Sequence, residues 1–185
     1  KEASGEAAFY GPKLDIQIKN VHGKEDTLIT IQIDFQLAER FGMTYVDAEG
    51  QTKYPYVIHR TSIGCYERTL ALLLEKYAGA LPTWLMPEQV RVLPISDRLI
   101  DDAKKVEEQL SRAGIRVSCD TRSEKVGYKI REAQLEKIPY MLVIGDKEVE
   151  DGTVSVRSRK EGDLGSMPVE SFLSKILQEI STKAK

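Results

Sequence analysis

Apolar and polar positions alternate in two early stretches of the chain. Leu14-Asp15-Ile16-Gln17-Ile18 is the first; in the second, Leu28, Ile29, Ile31, Ile33 and Phe35 are separated by Thr30, Gln32 and Asp34. Period two sends successive side chains to opposite faces, so both stretches predict half-buried strands. Asn20 to Asp26, with Gly23 inside it, predicts the turn of an antiparallel hairpin. Tyr56-Val57-Ile58 opens another strand. Beyond Gly64, apolar residues recur at helical spacing (Leu70, Leu73, Leu74, Tyr77), and Gly79 predicts the stop. Strands joined by short returns and followed by one helix predict an antiparallel sheet capped by that helix, an α+β arrangement.

After about residue 80 the pattern changes. Residues 81 to 89 carry two prolines and read as a linker between a first domain, 1–80, and a second, 90–185. Val90 to Ile95 is a continuous apolar strand. Leu99, Ala103, Val106 and Leu110 mark one helix face, which Gly114 ends. Ile115 to Cys119 is a strand, and residues 124 to 136 are a helix closed by Pro139. Tyr140 to Ile144 is an unbroken apolar run of the kind buried on both faces in a parallel sheet. Gly145-Asp146 and Asp151-Gly152 are turn signals, Val154 and Val156 mark a strand, and Ser166 with Pro168 predicts the start of a last helix through Val169, Phe172, Leu173, Ile176, Leu177 and Ile180. The order βαβαββα predicts an α/β fold with a mostly parallel sheet.

Charge changes the picture little. The 185 residues hold 27 basic and 29 acidic side chains, for a net charge of -2, so any nucleic-acid contact must come from a local patch. Cys65 and Cys119 are too few for a disulfide framework and fit no zinc spacing; free thiols in a reducing cytoplasm are the expectation. No run approaches the roughly 18 apolar residues of a membrane helix, and no signal peptide pattern appears. The first residue is Lys1, which suggests a chain that starts inside a longer protein.

Spacing alone gives few chemical assignments. His59 at a strand end reads as a partly buried, hydrogen-bonded side chain, because a zinc site needs three or four ligands. His22 lies in a hairpin turn and reads as exposed. Arg68 next to Glu67 reads as a helix-surface ion pair, and Gly64-Cys65-Tyr66-Glu67-Arg68 lacks the Gly-Lys-Ser/Thr of a phosphate loop. Lys13 after Tyr10-Gly11-Pro12 reads as a turn lysine. Arg122, Lys125, Lys129, Arg131 and Lys137 alternate with Glu124, Glu132 and Glu136, which fits a solvated helix face or an RNA platform. Arg157, Arg159 and Lys160 form a denser group, and the parity of Arg157 and Arg159 puts them on one side of a strand, where they would meet a phosphate backbone.

Several longer strings stand out. Gly5-Glu6-Ala7-Ala8-Phe9-Tyr10-Gly11-Pro12-Lys13 and Thr30-Ile31-Gln32-Ile33-Asp34-Phe35 resemble active-site strands in the C-terminal portion of the threonyl-tRNA synthetases, a class II aminoacyl-tRNA synthetase family. Val57-Ile58-His59-Arg60 and Gly64-Cys65-Tyr66-Glu67-Arg68 are similar to the third class II motif. Pro82-Thr83-Trp84-Leu85 resembles the domain junction. Arg131-Glu132, Pro139-Tyr140-Met141-Leu142-Val143 and Gly145-Asp146-Lys147-Glu148 resemble the anticodon-binding domain. Many strings in one order are more specific than any short motif. The resemblance implies the tail of a class II catalytic sheet with its motif-3 helix, followed by a mixed, mostly parallel, five-stranded anticodon-binding domain.

The family's activity is ATP-dependent ligation. Threonine attacks the α-phosphate, and the threonyl group then passes to tRNA(Thr), with Mg2+ accompanying ATP. Carried over by position, Arg68 and Lys13 are catalytic, Arg68 stacking on adenine near the triphosphate and Lys13 reaching the negative charge of ATP or the adenylate. Tyr10 and Gln32 bind threonine, Gln32 and Cys65 join Arg68 around ATP, and His59 is one ligand of a zinc ion whose other ligands lie upstream. Such a metal would hold the threonine hydroxyl and so exclude valine, which an apolar pocket separates poorly. Glu148, Arg157, Arg131, Ser123, Lys125 and Lys137 are the anticodon-binding candidates: carboxylate and guanidinium groups suit the exposed edges of unpaired bases.

Departures are also legible. Ser123 replaces an asparagine and Lys137 an arginine, Cys65 stands where serine is common, and Asp26-Thr27-Leu28-Ile29 lacks a Trp-Gln pair. The first two class II motifs do not occur, so the expectation is a cytoplasmic fragment without ligase activity alone, cut from a homodimer, whose first 80 residues expose a sheet edge and part of a core. Two other classes compete: a stand-alone anticodon-type RNA- or DNA-binding accessory, and a small-molecule α/β domain using the strand ends as a nucleotide cleft. The string around His59 and Arg68 disfavours the accessory, and the lack of a glycine-rich fingerprint after Val90–Ile95 disfavours the cleft.

Overall fold

A computed structural model describes residues 2–184, which divide into two compact units, one ending at Tyr77 and one beginning at Ala78. In the first unit, β1 (Lys13–Lys19) and β2 (Glu25–Asp34) form the expected hairpin, and β5 (Val57–Arg60) joins the other side of β2, giving an antiparallel sheet in the order β1-β2-β5. Between them the chain adds α1 (Leu37–Arg40) and a two-residue hairpin, β3 (Tyr45–Val46) with β4 (Thr52–Lys53), which the periodicity did not reveal. Helix α2 (Tyr66–Tyr77) follows.

Two glycines permit close approach. A Cβ on Gly11 would overlap the Ile33 carbonyl oxygen, where residues 10–12 run against the end of β2. Gly64 has φ +77°, and its Cβ would strike the Leu28 carbonyl as the chain turns into α2.

Among the described residues, Ala38 is the only buried apolar side chain of this unit. The Leu14, Ile16, Ile33 and Ile58 side of the sheet is open, with Ile58 66% exposed, and α2 buries no residue although Leu70 and Leu74 have core spacing. The expected uncovered core is present.

The second unit is a five-stranded sheet in the order β10-β9-β8-β6-β7. Its elements are β6 (Val90–Pro94), a 3-10 turn (Asp97–Leu99), α3 (Ile100–Arg112), β7 (Val117–Cys119), α4 (Val126–Leu135), β8 (Tyr140–Ile144), α5 (Asp146–Asp151), β9 (Thr153–Ser158), β10 (Gly162–Pro168) and α6 (Val169–Ser181). β7, β6 and β8 run parallel; β8, β9 and β10 pair antiparallel. One face packs Val90, Val92, Leu142, Ile144, Val154 and Val156 against α3 and α6, through Leu110, Phe172 and Ile176. The other packs Leu93 and Met141 against Ala133 of α4 and Ile138.

Three expectations change here. The turn signals at 145–146 and 151–152 bracket a helix, α5. Ser166 lies in β10, and the N-cap of α6 is Pro168. The segment read as a linker is built into the second unit: Leu81, Pro82, Thr83, Met86 and Gln89 are buried. Arg116 donates to the carbonyls of Trp84 and Met86 at 2.9 and 3.0 Å, Arg159 to those of Ala80 and Leu81, and Thr83 to Glu179 Oε1 at 2.6 Å. Prolines stiffened the segment without freeing it.

Candidate functional site

In the first unit, strand register brings three sequence-predicted residues into a row. Lys13 lies opposite Gln32, and Gln32 lies opposite His59. Directly opposed residues share a face, so their side chains line one polar strip across β1, β2 and β5. The Tyr10 hydroxyl donates to Gln32 Oε1 at 3.2 Å, and its ring stands edge-on to His59 with centroids 6.3 Å apart. Asp34, two residues along β2 from Gln32, completes the group: its Oδ2 lies 3.2 Å from His59 Nε2. Asp34 is buried, and its Oδ1 accepts the Gln36 and Leu37 amides at 2.9 and 2.8 Å. Although burial opposes ionisation, these amides and His59 together hold its carboxyl below the usual carboxylate range.

Lys13 is tied to Asp15 at 2.8 Å, and Asp15 also accepts the Thr30 hydroxyl at 2.8 Å. The Asp15 carboxyl is lowered by the Lys13 contact first and Thr30 second. The amine is thus a strand-face ion pair rather than a turn lysine. Arg68 does not pair with Glu67. It donates to the Thr27 carbonyl at 2.9 Å, while Glu67 accepts from the Cys65 thiol at 2.7 Å. Cys65 is exposed. Arg68 lines a cavity of about 70 Å³ with Ile18, Asp26, Leu28 and Glu75. Small-molecule sites usually measure roughly 300–1,000 Å³, so this cavity does not enclose a nucleotide.

In the second unit the basic residues separate into two kinds. Lys129, Arg159 and Arg122 are committed to the fold. Lys129 is buried and donates to the Pro94 and Asp120 carbonyls at 3.3 and 3.0 Å. Arg159 donates to the Lys137 carbonyl as well as to those of Ala80 and Leu81, so it does not join Arg157 in facing a phosphate. Arg122 grips Asp120 at 2.6 Å and Glu132 at 2.6 Å. Exposed residues remain on and around α4: Ser123 and Lys125 at its start, Arg131 on it and Lys137 just after it. The Ser123 hydroxyl donates to Asp97 Oδ2 at 2.8 Å.

Lys137 adopts φ +61°. Its amide bonds Gln134 O at 3.0 Å and the Ile138 amide bonds Ala133 O at 3.0 Å, the Schellman pattern that ends a helix. Arg157, opposite Met141 on β8, pairs with Asp163 at 3.0 Å. Glu148 folds back on its own helix start: Oε2 accepts the Gly145 amide at 3.0 Å and Oε1 the Ser166 hydroxyl at 3.2 Å. Each oxygen keeps a lone pair for a further donor. Sequence reasoning missed Asp34, Asp97 and Ser166. Only Asp34 carried a signal, its shared parity with Gln32.

Comparison with known proteins gives a consistent picture. Residues 1–77 match the family model for the tRNA synthetase class II core domain (G, H, P, S and T), and residues 89–179 match that for the anticodon binding domain. A threonine--tRNA ligase of Clostridium perfringens (strain SM101 / Type A) is 65% identical over 182 residues, which cover 98% of this chain and 28% of that protein. One from Clostridium botulinum (strain Eklund 17B / Type B) is 61% identical over 184 residues, covering 100% and 29%. The chain thus spans less than a third of the length of these relatives. A crystal structure of the RNA binding domain of threonyl-tRNA synthetase from Cryptosporidium parvum Iowa II superposes with a TM-score of 0.84 at 39% identity, over 95% of this chain and 44% of that one. No helix among the described residues is long and apolar enough to cross a membrane.

Proposed function

We propose that this chain, which belongs to the threonine--tRNA ligase family through a class II core segment and an anticodon-binding domain, contributes the threonine end of an aminoacylation site and the anticodon-reading surface of the same enzyme. The reaction is activation of threonine by ATP with Mg2+ and transfer of the threonyl group to tRNA(Thr). The observation that carries the first part is the convergence of Tyr10, Gln32 and His59 on one polar sheet face. A phenol, an amide and an imidazole suit the ammonium and hydroxyl of threonine, while Lys13, in the same row, offers its amine to the negative charge of ATP or the adenylate. Arg68 takes its family role beside ATP by leaving the Thr27 carbonyl, since the cavity it lines now is too small.

The zinc expectation needs more than this chain supplies. Among the described residues no three His, Cys, Asp or Glu side chains come together as a metal site, and His59 faces Asp34. The remaining ligands would have to come from outside these residues, and His59 is read within the chain as a hydrogen-bonding wall of the threonine end. A homodimer and a cytoplasmic location are part of the same proposal, resting on the family alone.

In the second unit Glu148 and Arg157 are the base readers, with Ser123, Lys125, Arg131 and Lys137 along α4 supplying backbone and further base contacts. The test is a fluorescence-anisotropy titration of the chain with a threonine anticodon stem-loop and with one whose second and third anticodon bases are exchanged, at two salt concentrations. The expected result is a preference for the native loop that survives higher salt, and that Glu148→Ala or Arg157→Ala reduces by about tenfold, the size of one lost base contact. Equal, weak binding to both loops that disappears with salt would reduce the surface to a phosphate contact and remove the reading.

A further inference from the structure

Among the described residues of the second unit, Lys129 is the least exposed ionisable residue, yet no carboxylate accepts from its amine. Its residue is 2% exposed, and its amine donates to two main-chain carbonyls, Pro94 O and Asp120 O. Pro94 is the last residue of β6, and Asp120 follows β7 directly. These strands are parallel neighbours, but the helices after them go to opposite faces: α3 packs on one and α4 on the other. The loops that leave their carboxyl ends therefore diverge, the geometry that opens a crevice in α/β sheets. The Lys129 amine lies between the carbonyls at these two strand ends.

The same two loops carry two of the proposed anticodon contacts and a residue that ties them together. The 120–125 loop holds Ser123 and Lys125, and the 95–98 loop holds Asp97, which accepts the Ser123 hydroxyl. The Asp120 carboxylate, also buried, is already gripped by Arg122. Lys129 thus ties the main chains of the two loops, and Ser123–Asp97 ties their side chains.

We infer that Lys129 is a positioning residue for anticodon reading: by holding the ends of β6 and β7 at fixed separation, it sets the place from which Ser123 and Lys125 meet the loop bases. This rests on the anticodon reading proposed above. A buried amine bonded to carbonyls alone contributes no contact to RNA, so its effect must pass through the loops. It should lower base discrimination and leave phosphate attraction intact, because α4's exposed cations are unchanged.

The experiment repeats the two-loop titration on the full chain with Lys129→Met, Ser123→Ala and the double variant, with a thermal melt of each to establish folding. Lys129→Gln, which retains an amide donor near the carbonyls, replaces Lys129→Met if the latter does not fold. The expected result is that the folded variant keeps low-salt binding within about threefold of the parent but loses about tenfold in preference for the native loop. The double variant should be no worse than the poorer single one, since both act through one loop. A folded variant with the parent's preference, additive losses in the double variant, or failure of both variants to fold would make Lys129 a core residue and overturn the inference alone. A parent chain that shows no preference would overturn the anticodon reading and this inference with it.

Discussion

Lys137 carries two demands in one backbone position. It is an RNA-contact candidate, and it closes α4 in the left-handed region at φ +61°, where glycine meets no steric cost. Lys137→Gly should therefore raise the stability of the second unit by about 1 kcal/mol in urea denaturation while Lys137→Ala does not, and both should weaken stem-loop binding. Asp120 makes a pH prediction. Arg122 holds its carboxyl below the ordinary value, with burial opposing. A depressed carboxyl stabilises the fold above its unfolded pKa of about 3.9, and that contribution disappears as pH falls through the lower folded value. Asp120→Asn should flatten the loss of stability on acidification below about pH 4, measured by urea midpoints across pH.

The cysteines divide as sharply. Burial pushes the Cys119 thiol up to about 11, whereas Cys65 is exposed. At pH 8 a thiol reagent should modify one equivalent rapidly, and Cys65→Ser should remove that phase. At this scale the sequence reveals identity better than commitment. Gln32 and His59 stand out in the sequence only through the family strings, and the strand register then sets them opposite each other. Lys129 and Arg159 read as surface cations, because nothing local distinguishes a lysine aimed at solvent from one aimed at two carbonyls.

Elements whose own pattern is strong were legible, and those formed only by their neighbours were not. β8 is a five-residue apolar run, and α3 has a clear apolar face. β10, by contrast, reads Gly-Asp-Leu-Gly-Ser-Met-Pro, with two glycines and a proline, and becomes a strand because β9 offers it a partner. α5 is too short for helical periodicity to register, and depends on the Glu148 cap and on Gly152 at φ +64°. The proline-bearing 81–89 segment misleads for the same reason: its prolines describe a stiff chain, and only packing decides whether stiff chain is linker or structure. A chain beginning at residue 78 should fold cooperatively by itself. One beginning at residue 89, where the family match starts, exposes the surface under Leu81 and Met86, removes both side-chain carbonyl partners of Arg116 and leaves Arg159 only the Lys137 carbonyl. It should lose several kcal/mol in urea denaturation, on the order of two large buried side chains plus their hydrogen bonds.

At the scale of the molecule, the two units differ in what holds them. The second has a core on each sheet face, whereas Ala38 is the first unit's only buried apolar residue among those described. Hydrogen-bonded strands without a closed core lack the main favourable term of folding. The open side of the β1-β2-β5 sheet carries Leu14, Ile16, Ile33 and Ile58, a contiguous apolar surface of the kind that marks an interaction face. Trp84, the one tryptophan, lies in the second unit, so its fluorescence follows that unit alone, while far-UV circular dichroism follows both. In urea the dichroism should begin to fall well before the tryptophan signal, and a hydrophobic dye should bind before either transition. Ile16→Lys with Ile58→Lys should reduce that dye binding without moving the tryptophan midpoint. Coincident curves would mean that the chain unfolds as one cooperative body, and the open face would then be too well supported by the rest of the chain for an incomplete core to explain it.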